Sequence, residues 1–396
     1  MTDPLGQSQV LPYLIGLADE YDIHILSSEK PKRFKQLKAT ISEICNEHRI
    51  TWHPVKYNKK PPVFSGIYDY IQLYKTAKNL HKKLGFSIAH CRSYIPGIVG
   101  LRLQKKFNIP FIFDMRGFWA DERKESGSWN VNNPVFNSVY RYFKYYEKRF
   151  FSEADAVISL TEAGKSHIES LDLQSRSPIT VIPCCADFSL FNYQDYSSGE
   201  TNELKKSLGF SETDFVLTYL GSIGGSYLID EMMIFFKALK EIKPESKFLI
   251  ITKTSSPLIA ESMTKHGVSE NDVVITPSER NTLPKLLTVS DASVFFYRPT
   301  FSRTGTSPTK FPELMGVGIP VIGNKKVGDI ERIITQTNTG IVIDVTNLDE
   351  LKSGAQDLID FSTQADKMKI RKSGIQCFNL DDGIERYRTV YKTVQN

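Results

Sequence analysis

The sequence predicts an α/β protein made of two doubly wound domains that face a cleft. Short β-rich runs alternate with helix-length segments along almost the whole chain, and the alternation occurs in two series separated by a polar stretch. Such alternation is typical of parallel sheets that are covered by helices on both faces. A chain of 396 residues is also too long for one ordinary core, so we expect two domains.

The first series predicts buried strands at residues 21–28, 86–91, 110–115, 155–160 and 179–183. Helix-length segments separate them. In the segment before residue 155, Val139, Phe143, Tyr146 and Phe150 recur at spacings of 4, 3 and 4, which predicts one apolar helix stripe. This series forms the predicted N-terminal domain, residues 1–190.

The chain begins with a loop that contains Gly6, followed by a predicted helix from about Ser8 to Glu20 and then the first strand. A βαβ unit needs a strand before such a loop, so the first strand of this domain is expected to be missing. Either the recorded start is an internal methionine, or the domain lacks a strand that its neighbours would pair with. A frayed terminus over Met1–Gly6 is the plain alternative.

The second series predicts strands at 215–220, 246–252, 272–276, 291–296, 319–322 and 339–344. It forms a predicted C-terminal domain at 214–375, joined to the first domain by a linker at 191–213. Residues 376–396 are interpreted as a helix that crosses back to the first domain. In open parallel sheets, ligands bind beyond the carboxyl ends of the strands. We therefore expect the ligand-binding site to lie along the carboxyl ends of the predicted strands.

Composition restricts the class of protein. The net charge of +5 fits anionic small ligands or an acidic membrane surface, or plain solvated charge, and is too small for a nucleic-acid-binding signature. The sequence contains no bilayer-spanning apolar run and no signal peptide. Five cysteines without Cys-x-x-Cys spacing favour a reduced, cytoplasmic protein without structural zinc.

The segment Ser302–Ile322, "SRTGTSPTKFPELMGVGIPVI", predicts an anion site. Ser307 is a suitable N-cap before Pro308, so a helix is expected to start there, with Thr309 in its first turn. The free amide groups of a helix start bind phosphates, and Arg303 and Lys310 add charge at the same end. Glu313 is placed to accept hydrogen bonds from the vicinal hydroxyls of a ribose.

A second loop, "LGSIGG" after the predicted strand 215–220, contains Gly221, Ser222, Gly224 and Gly225. Glycines there allow backbone to approach a ligand, although tight turning explains them equally well. We assign this loop, together with Lys253, to the nucleotide site. The spacing is not the dinucleotide fingerprint, so no nicotinamide cofactor is expected.

Seven segments resemble glycosyltransferase family 4, whose members have the GT-B fold of two Rossmann-like domains. In chain order they are "DPLGQSQVLPYL", "HCRSYIPG", "DMRGFWADE", "TEAGKSHI", "IPCCADFSLF", "LGSIGG" and "SPTKFPELMGVGIPVI". The resemblance implies retaining, metal-independent sugar transfer from a nucleotide-diphosphate sugar, of the bacterial surface-polysaccharide type. It implies no cofactor and no metal, and no Asp-x-Asp element argues for one.

Several residue roles follow from the resemblance. Glu313 matches the ribose-binding second glutamate of the family's paired motif, whereas Gly305 stands where the first is expected. Gly6 matches the glycine beside the transferred sugar. Arg116 stands where many members have a histidine, and a guanidinium cannot act as a base. We expect Arg116, oriented by Asp114, to act electrostatically.

Two further segments of this resemblance concern the diphosphate and the acceptor. Ser222 stands where the family often has an arginine, so Arg303 and Lys310 are the expected substitutes. The acceptor is expected to be a saccharide or a lipid-linked sugar. Basic residues Arg141, Lys144 and Lys148, with the segment 30–38, are interpreted as a contact with the inner face of the plasma membrane, or as ordinary solvated charge.

Two other functions stay open at this point. A nucleotide-sugar epimerase of the same fold needs paired acid and base groups around the sugar, for which Asp114, Asp121 and Glu122 are candidates. A non-catalytic nucleotide-sugar-binding homologue is favoured by Gly305, Ser222 and the missing strand.

Overall fold

The structure is a computed structural model that describes residues 1–58, 61, 64–254 and 257–395. The chain divides into two compact units. Unit 1 comprises Met1–Cys185 and Leu380–Asn396, and unit 2 comprises Ala186–Asn379. Both units are α/β with parallel sheets, as the alternation of strands and helices predicts.

Unit 1 contains six strands and, before residue 186, eight helices among its described residues. The strands are β1 (His24–Glu29), β2 (Thr51–Lys56), β3 (Ala89–Arg92), β4 (Phe111–Asp114), β5 (Ala156–Ser159) and β6 (Ile179–Val181). The helices are α1 (Pro4–Gln9), α2 (Leu11–Ile15), α3 (Pro31–Glu47), α4 (Phe64–Leu84), α5 (Tyr94–Phe107), α6 (Trp119–Glu125), α7 (Pro134–Glu153) and α8 (Glu162–Ser170).

The strands of unit 1 form two separate parallel sheets. One consists of β1 and β2, in register from His24 opposite Thr51, and the other has the order β3-β4-β5-β6. Residues 1–23 contain helices α1 and α2 and no strand. Within the described residues, β1 and β3 each keep one edge unpaired.

The sequence prediction omitted β2. Its segment "TWHPVK" contains a proline, and proline within a sheet is usually confined to edge strands, so the segment was not recognised as a strand.

The start of the chain differs from the predicted single helix over residues 8–20. Helix α1 begins at Pro4, and Val10 leaves the helical region with φ −128° and ψ −61°. Pro12 then lies in the first turn of α2, where its missing N–H group is not needed. The proline therefore divides the segment into two short helices.

Unit 2 contains six strands and, among its described residues, eight α-helices. The strands are β7 (Phe215–Leu220), β8 (Ser246–Ile251), β9 (Val273–Thr276), β10 (Ala292–Phe295), β11 (Val321–Asn324) and β12 (Gly340–Ile343). The helices are α9 (Ser198–Ser207), α10 (Ile229–Ile242), α11 (Pro257–His266), α12 (Leu283–Leu287), α13 (Lys310–Gly316), α14 (Ile330–Thr337), α15 (Leu348–Gln364) and α16 (Lys367–Phe378).

All six strands of unit 2 form one parallel sheet in the order β12-β11-β10-β7-β8-β9. The apolar stripe of α10, with Met232, Phe235, Phe236 and Leu239 fully buried, covers this sheet. The chain runs outward from β7 through β8 to β9 and then returns to place β10 on the other side of β7. The boundary between β7 and β10 is therefore the topological switch point of the sheet.

One segment differs from the predicted domain scheme. Residues 191–213, predicted as a linker, lie in unit 2, where Phe191 and Phe210 are buried in the core and Ser197 with Glu200 forms a capping box on α9. The last helix, α17 (Leu380–Gln395), is grouped with unit 1.

None of the described helices combines the length and the apolar content that crossing a bilayer requires.

Candidate functional site

The switch point of unit 2 carries the candidate site. Tyr219 lies near the carboxyl end of β7, Tyr227 lies in the loop that follows, and Tyr297 comes just after β10. Tyr227 and Tyr297 form an isolated antiparallel bridge, and their ring centres are 4.9 Å apart. Because ligands of open parallel sheets bind at such switch points, these loops are the expected ligand-binding edge.

Lys310 enters this edge from the first position of α13. Its Nζ lies 4.2 Å from the centre of the Tyr227 ring, 4.3 Å from Tyr219 and 5.6 Å from Tyr297. The three rings form a tyrosine cage around the amine, and the faces of aromatic rings attract cations. A long side chain is thereby held in one position before any ligand is bound.

The Lys310 amine is almost completely buried, since the residue is 5% exposed, and Nζ has no hydrogen-bond partner among the described residues. Burial lowers the pKa of Lys310 to about 7, although the nearby Glu313 carboxylate acts in the opposite direction. A buried amine without a hydrogen-bond acceptor is costly unless a ligand supplies one. Lys310 is thus suited to meet an anion.

Glu313 lies one turn further along α13 and is also buried. Its Oε1 accepts a hydrogen bond from Arg280 Nη1 at 2.9 Å, and the Arg280 guanidinium lies over the Phe191 ring at 5.4 Å. Burial raises the pKa of Glu313, while Arg280 and Lys310 lower it. The carboxylate that the sequence assigns to a ribose is therefore held by an arginine from the loop after β9.

The glycine loop lies directly against Lys310. Gly221 has φ +145°, and a Cβ atom added there would lie 2.6 Å from Lys310 Nζ. Gly224 and Gly225 have φ +84° and +67°, which favours glycine. The backbone oxygen of Ser222 accepts the Tyr219 hydroxyl at 2.6 Å. The loop thus leaves room for the lysine and fixes one wall of its cage.

The predicted helix start at Ser307 is wrong. Helix α13 begins at Lys310, and Thr309 at its N-cap has φ −62° and ψ −29° and makes no side-chain cap. A 3₁₀ helix, Phe301–Gly305, precedes it, so Ser307 and Pro308 belong to the connecting turn. Because the helix has only seven residues and all of them are buried, side chains rather than a helix dipole dominate the charge here.

Arg303 and Lys253 have different surroundings from Lys310. Arg303 is buried at 7% exposure, and its charge lowers the pKa of Tyr297 against the larger raising effect of burial. Lys253 is exposed after β8, and its Nζ donates to Glu279 at 2.6 Å. Arg303 is thus buried within unit 2, whereas Lys253 is exposed and paired with Glu279.

Unit 1 holds a second group of predicted site residues. Asp114, the last residue of β4, is fully buried and lies 3.4 Å from Arg116 Nη1, 3.5 Å from Arg92 Nη1 and 3.4 Å from His90 Nε2. Tyr387 of α17 donates a hydrogen bond to Asp114 Oδ2 at 3.1 Å. Burial opposes the charge, but Arg116 and Arg92 hold the pKa of Asp114 well below its usual range.

Gly6 and Lys144 have different surroundings from those that the sequence predicts. Gly6 lies inside α1 rather than in a loop, and a Cβ atom there would meet the Met1 oxygen at 2.6 Å, so close packing accounts for the glycine. Lys144 is not a free surface charge, since it forms ion pairs with the buried Asp121 and Glu147. Arg141 and Lys148 stay exposed on α7.

Several site residues were missed by sequence reasoning, namely Tyr219, Tyr227, Arg280, Tyr297 and, in unit 1, His90, Arg92 and Tyr387. Tyr227 follows the glycine loop directly, and Tyr297 follows a predicted strand, so their positions at strand ends were available signals. Arg280 lies in a polar stretch with no motif, and only its contact with Glu313 distinguishes it.

Comparison with known proteins gives two family matches. Residues 13–190 match the model described as Glycosyltransferase Family 4, and residues 200–373 match Glycosyl transferases group 1. The curated proteins contain no match to the chain.

Several solved structures share the fold at low sequence identity. Sucrose-phosphate synthase from Thermosynechococcus elongatus has a TM-score of 0.71 at 14% identity, and the matched region covers 96% of this chain and 91% of the synthase chain. Anabaena Alr3699/HepE in complex with UDP and glucose has a TM-score of 0.70 at 16% identity, with 98% of each chain covered. WaaG, a glycosyltransferase involved in lipopolysaccharide biosynthesis, has a TM-score of 0.67 at 12% identity, and the matched region covers 97% of this chain and 95% of the WaaG chain.

Proposed function

Because the chain is a glycosyltransferase with the GT-B fold, we propose that it transfers a sugar from a nucleotide-diphosphate sugar to a saccharide or lipid-linked acceptor. The transfer retains the anomeric configuration and needs no metal ion, and it serves the synthesis of a surface polysaccharide. The observation that carries this proposal is the buried Lys310 amine, unpaired among the described residues, at the switch point of unit 2.

Lys310 is the proposed diphosphate contact. A bound diphosphate supplies the oxygen acceptors that the amine lacks, and its negative charge favours the protonated form of the lysine. The glycine loop 221–225 leaves room for a ligand to approach, because no side chain projects from Gly221, Gly224 or Gly225. Ser307 and Thr309, in the turn before α13, are proposed to line the phosphates from the other side.

Glu313 and Arg280 are the proposed ribose and nucleoside contacts. A carboxylate accepts two hydrogen bonds from vicinal hydroxyls, and Arg280 orients Glu313 for this from 2.9 Å. The guanidinium, which stacks on Phe191, also offers a flat cation next to the base or the phosphates. Arg303 is proposed to add positive charge for the diphosphate, because it is buried in the 3₁₀ helix that precedes Lys310.

The proposed chemistry requires neutralisation of the leaving group. The bond between the anomeric carbon and the diphosphate oxygen breaks, the acceptor oxygen forms the new bond on the same face, and the acceptor proton passes to a donor phosphate oxygen. Protonated Lys310 stabilises the charge that develops on the diphosphate. Asp114 and Arg116 in unit 1 are proposed to act on the sugar side electrostatically, since a guanidinium is not a base.

UDP is the first nucleotide to test, because Alr3699/HepE is described with UDP, UDP-glucose and glucose. A lipid-linked or polysaccharide acceptor is proposed partly because WaaG is described as acting in lipopolysaccharide biosynthesis. Such an acceptor is reached at the inner face of the plasma membrane, where a peripheral contact of this protein is proposed.

A thermal-shift screen with UDP-, GDP-, ADP- and CMP-sugars tests the donor class, because a ligand that binds only the folded form raises the melting temperature. We expect one nucleotide to stabilise the protein and Lys310→Met to reduce that shift at the same nucleotide concentration. Lys237→Met, at an exposed lysine of α10, is the matched control. A shift of the same size in Lys310→Met and in the wild type removes Lys310 from the diphosphate site.

Turnover and metal independence need separate measurements. Incubation of the stabilising donor with candidate saccharide acceptors, with and without EDTA, should release nucleotide diphosphate at equal rates. NMR of the product then reports the anomeric configuration, and an inverted product contradicts the proposed retention. Binding without any release of nucleotide identifies the non-catalytic homologue instead.

The epimerase alternative is not favoured by the contacts of two of its three candidate carboxylates, Asp114 and Asp121. Asp114 is surrounded by Arg92, Arg116, His90 and Tyr387. Asp121 accepts hydrogen bonds from Tyr140 at 2.8 Å and Lys144 at 2.7 Å. Carboxylates engaged in this way are poorly suited to exchange protons with a sugar carbon.

A further inference from the structure

Helix α4 of unit 1 exposes a row of large apolar side chains. Phe64 is 72% exposed, Ile67 52%, Tyr68 60% and Ile71 42%. Residues at spacings of 3, 1 and 3 lie on one side of an α-helix over two turns. An apolar stripe normally faces the core, but here it faces solvent at the beginning of the helix.

The opposite side of α4 is already packed, so the exposed row is not needed for the core. Ser65, Asp69 and Ala77 are buried, and Asp69 accepts hydrogen bonds from Asn58. Tyr70 and Tyr74 pack against α5, where the Arg102 guanidinium lies over both rings at 5.0 and 5.8 Å. A contiguous exposed apolar patch of this kind marks an interaction surface.

The same face becomes basic further along the helix. Lys75, Lys78 and Lys82 continue the row at spacings of 4, 3 and 4 after Ile71. Lys75 and Lys82 are exposed, and none of the three forms an ion pair with a described residue. We call the seven residues Phe64, Ile67, Tyr68, Ile71, Lys75, Lys78 and Lys82 the α4 surface.

An exposed surface of α7 has the same character, and Tyr70 of α4 and Tyr146 of α7 pack against the same buried cluster of unit 1. Tyr142 and Tyr145 of α7 are 46% and 60% exposed. Arg141 and Lys148 are exposed on the same helix. Tyrosines with lysine and arginine are typical of the boundary between membrane and water.

The charge of the chain is divided unevenly between the units. Unit 1 contains 29 Lys and Arg and 21 Asp and Glu, whereas unit 2 contains 21 and 24. The excess positive charge thus lies on the unit that exposes the apolar row. Protein–protein interface cores are depleted of lysine, while interfacial helices on anionic lipid combine apolar side chains with lysines.

We propose that the α4 surface docks unit 1 onto an anionic lipid bilayer, with Phe64, Ile67, Tyr68 and Ile71 inserted at the boundary of the acyl chains and the three lysines on the headgroups. This proposal deepens the membrane contact of the proposed function, and it is independent of the donor and of the sugar chemistry. It replaces Lys144, which is engaged inside unit 1, as the basis of that contact.

Vesicle binding tests the proposal in the full chain without nucleotide. We expect sedimentation with phosphatidylcholine vesicles that contain phosphatidylglycerol, and weaker binding at high salt because headgroup attraction is screened. Phe64→Ser combined with Ile67→Ser should reduce the partition coefficient by about tenfold or more, since each loses an inserted apolar side chain. Lys75→Gln with Lys82→Gln should remove most of the preference for anionic vesicles.

The control variant replaces two exposed apolar side chains of unit 2 by serine. Leu348→Ser with Met368→Ser alters two apolar side chains of unit 2 that are 51% and 44% exposed, and it should leave vesicle binding unchanged. In Phe64→Trp, brominated lipids should quench the new fluorescence. Equal binding by the Phe64/Ile67 variant and the wild type overturns the proposal, as does a dimer in solution that this variant dissolves.

A loss of vesicle binding is kept distinct from a loss of donor function. The thermal shift with the stabilising nucleotide sugar should be the same in the Phe64/Ile67 variant and in the wild type, because these residues lie in unit 1 and the nucleotide site is assigned to unit 2. Vesicle binding that persists when no nucleotide stabilises the protein supports the α4 surface while contradicting the proposed donor site.

Discussion

The Lys310 amine lies 4.2 Å from the centre of the Tyr227 ring and is buried inside unit 2. The ring face attracts a cation, yet burial lowers the pKa of this lysine to about 7. At neutral pH the amine is therefore divided between its charged and neutral forms. A diphosphate that reaches the cage would favour the charged form, so ligand binding and protonation of Lys310 are linked.

Lys310→Met should weaken UDP binding and stabilise the unliganded protein. A charge-assisted hydrogen bond contributes roughly 1.5–3 kcal/mol, so the dissociation constant should rise about 10- to 100-fold. The melting temperature of the free protein should rise, because a buried amine without an acceptor is replaced by an apolar side chain of similar length. Calorimetric titration and thermal unfolding measure the two effects, and a fall in both affinity and stability contradicts the role of the cage.

The pH dependence of stability follows from the same lysine. Its folded pKa is about 7 and its unfolded pKa about 10.4, so between these values the unfolded chain binds more protons. Deprotonation of the buried lysine therefore stabilises the folded protein. This gain in stability is absent below about pH 7 and grows as the pH rises from about 7 to about 10.4. The stability difference between Lys310→Met and the wild type should therefore narrow from pH 7 to pH 10 in urea unfolding, and a constant difference contradicts it.

The affinity for UDP should fall as pH rises above 7, because binding then requires the uptake of a proton by Lys310. The limiting loss is about tenfold per pH unit when the bound lysine stays charged. Titrations in two buffers of different ionisation enthalpy count the protons directly. Lys310→Met serves as the control and should show a flat profile over the same range.

Glu313→Gln should reduce the recognition of ribose hydroxyls. We expect the wild type to bind UDP more tightly than 2′,3′-dideoxy-UDP, and the variant to lose most of this difference, roughly 1.5–3 kcal/mol for charge-assisted contacts. Arg280→Ala should have a smaller effect on the same comparison, since it orients Glu313 from 2.9 Å. An unchanged preference in Glu313→Gln excludes this carboxylate from the ribose contact.

Gly221→Ala should displace Lys310, because the new Cβ would lie 2.6 Å from Nζ at a backbone φ of +145°. We expect weaker UDP binding together with a modest loss of stability. Gly209→Ala is the matched control, since Gly209 has φ +82° with nothing within 4 Å of its Cβ position. It should lose stability through backbone strain alone and keep the UDP affinity; equal affinity losses in both variants contradict the contact with Lys310.

Asp114→Asn should destabilise unit 1 by about 3–5 kcal/mol, because Arg92 and Arg116 lose a buried counter-ion. Neighbouring cations hold the folded pKa of Asp114 below its unfolded value, so its stabilising contribution is present above the unfolded pKa and is lost as pH falls. The gap between variant and wild type should therefore shrink in acid. Asp357→Asn, at an exposed aspartate, is the control and should change stability little.

The strands of unit 2 illustrate what local sequence can predict. Residues 215–220 were predicted as a strand and form β7 with the same bounds, because a run of buried apolar residues has only one good way to pack in a parallel sheet. The break at Pro12 and the late start of α13 were missed, because each depends on how a turn is held by its surroundings.

The sequence by itself determined the α/β class, the two series of strands, the placing of Gly221 directly after a strand, and the placing of Lys310 and Glu313 near the start of a helix. Only the tertiary structure decided that three tyrosines surround Lys310, that Arg280 holds Glu313, and that Phe64 and Ile67 face solvent. The physical reason is the distance in sequence over which each property is set. Periodicity and turn chemistry depend on a few neighbouring residues, whereas burial, exposure and the pKa of a side chain depend on residues that are far apart in the sequence and meet only in the fold.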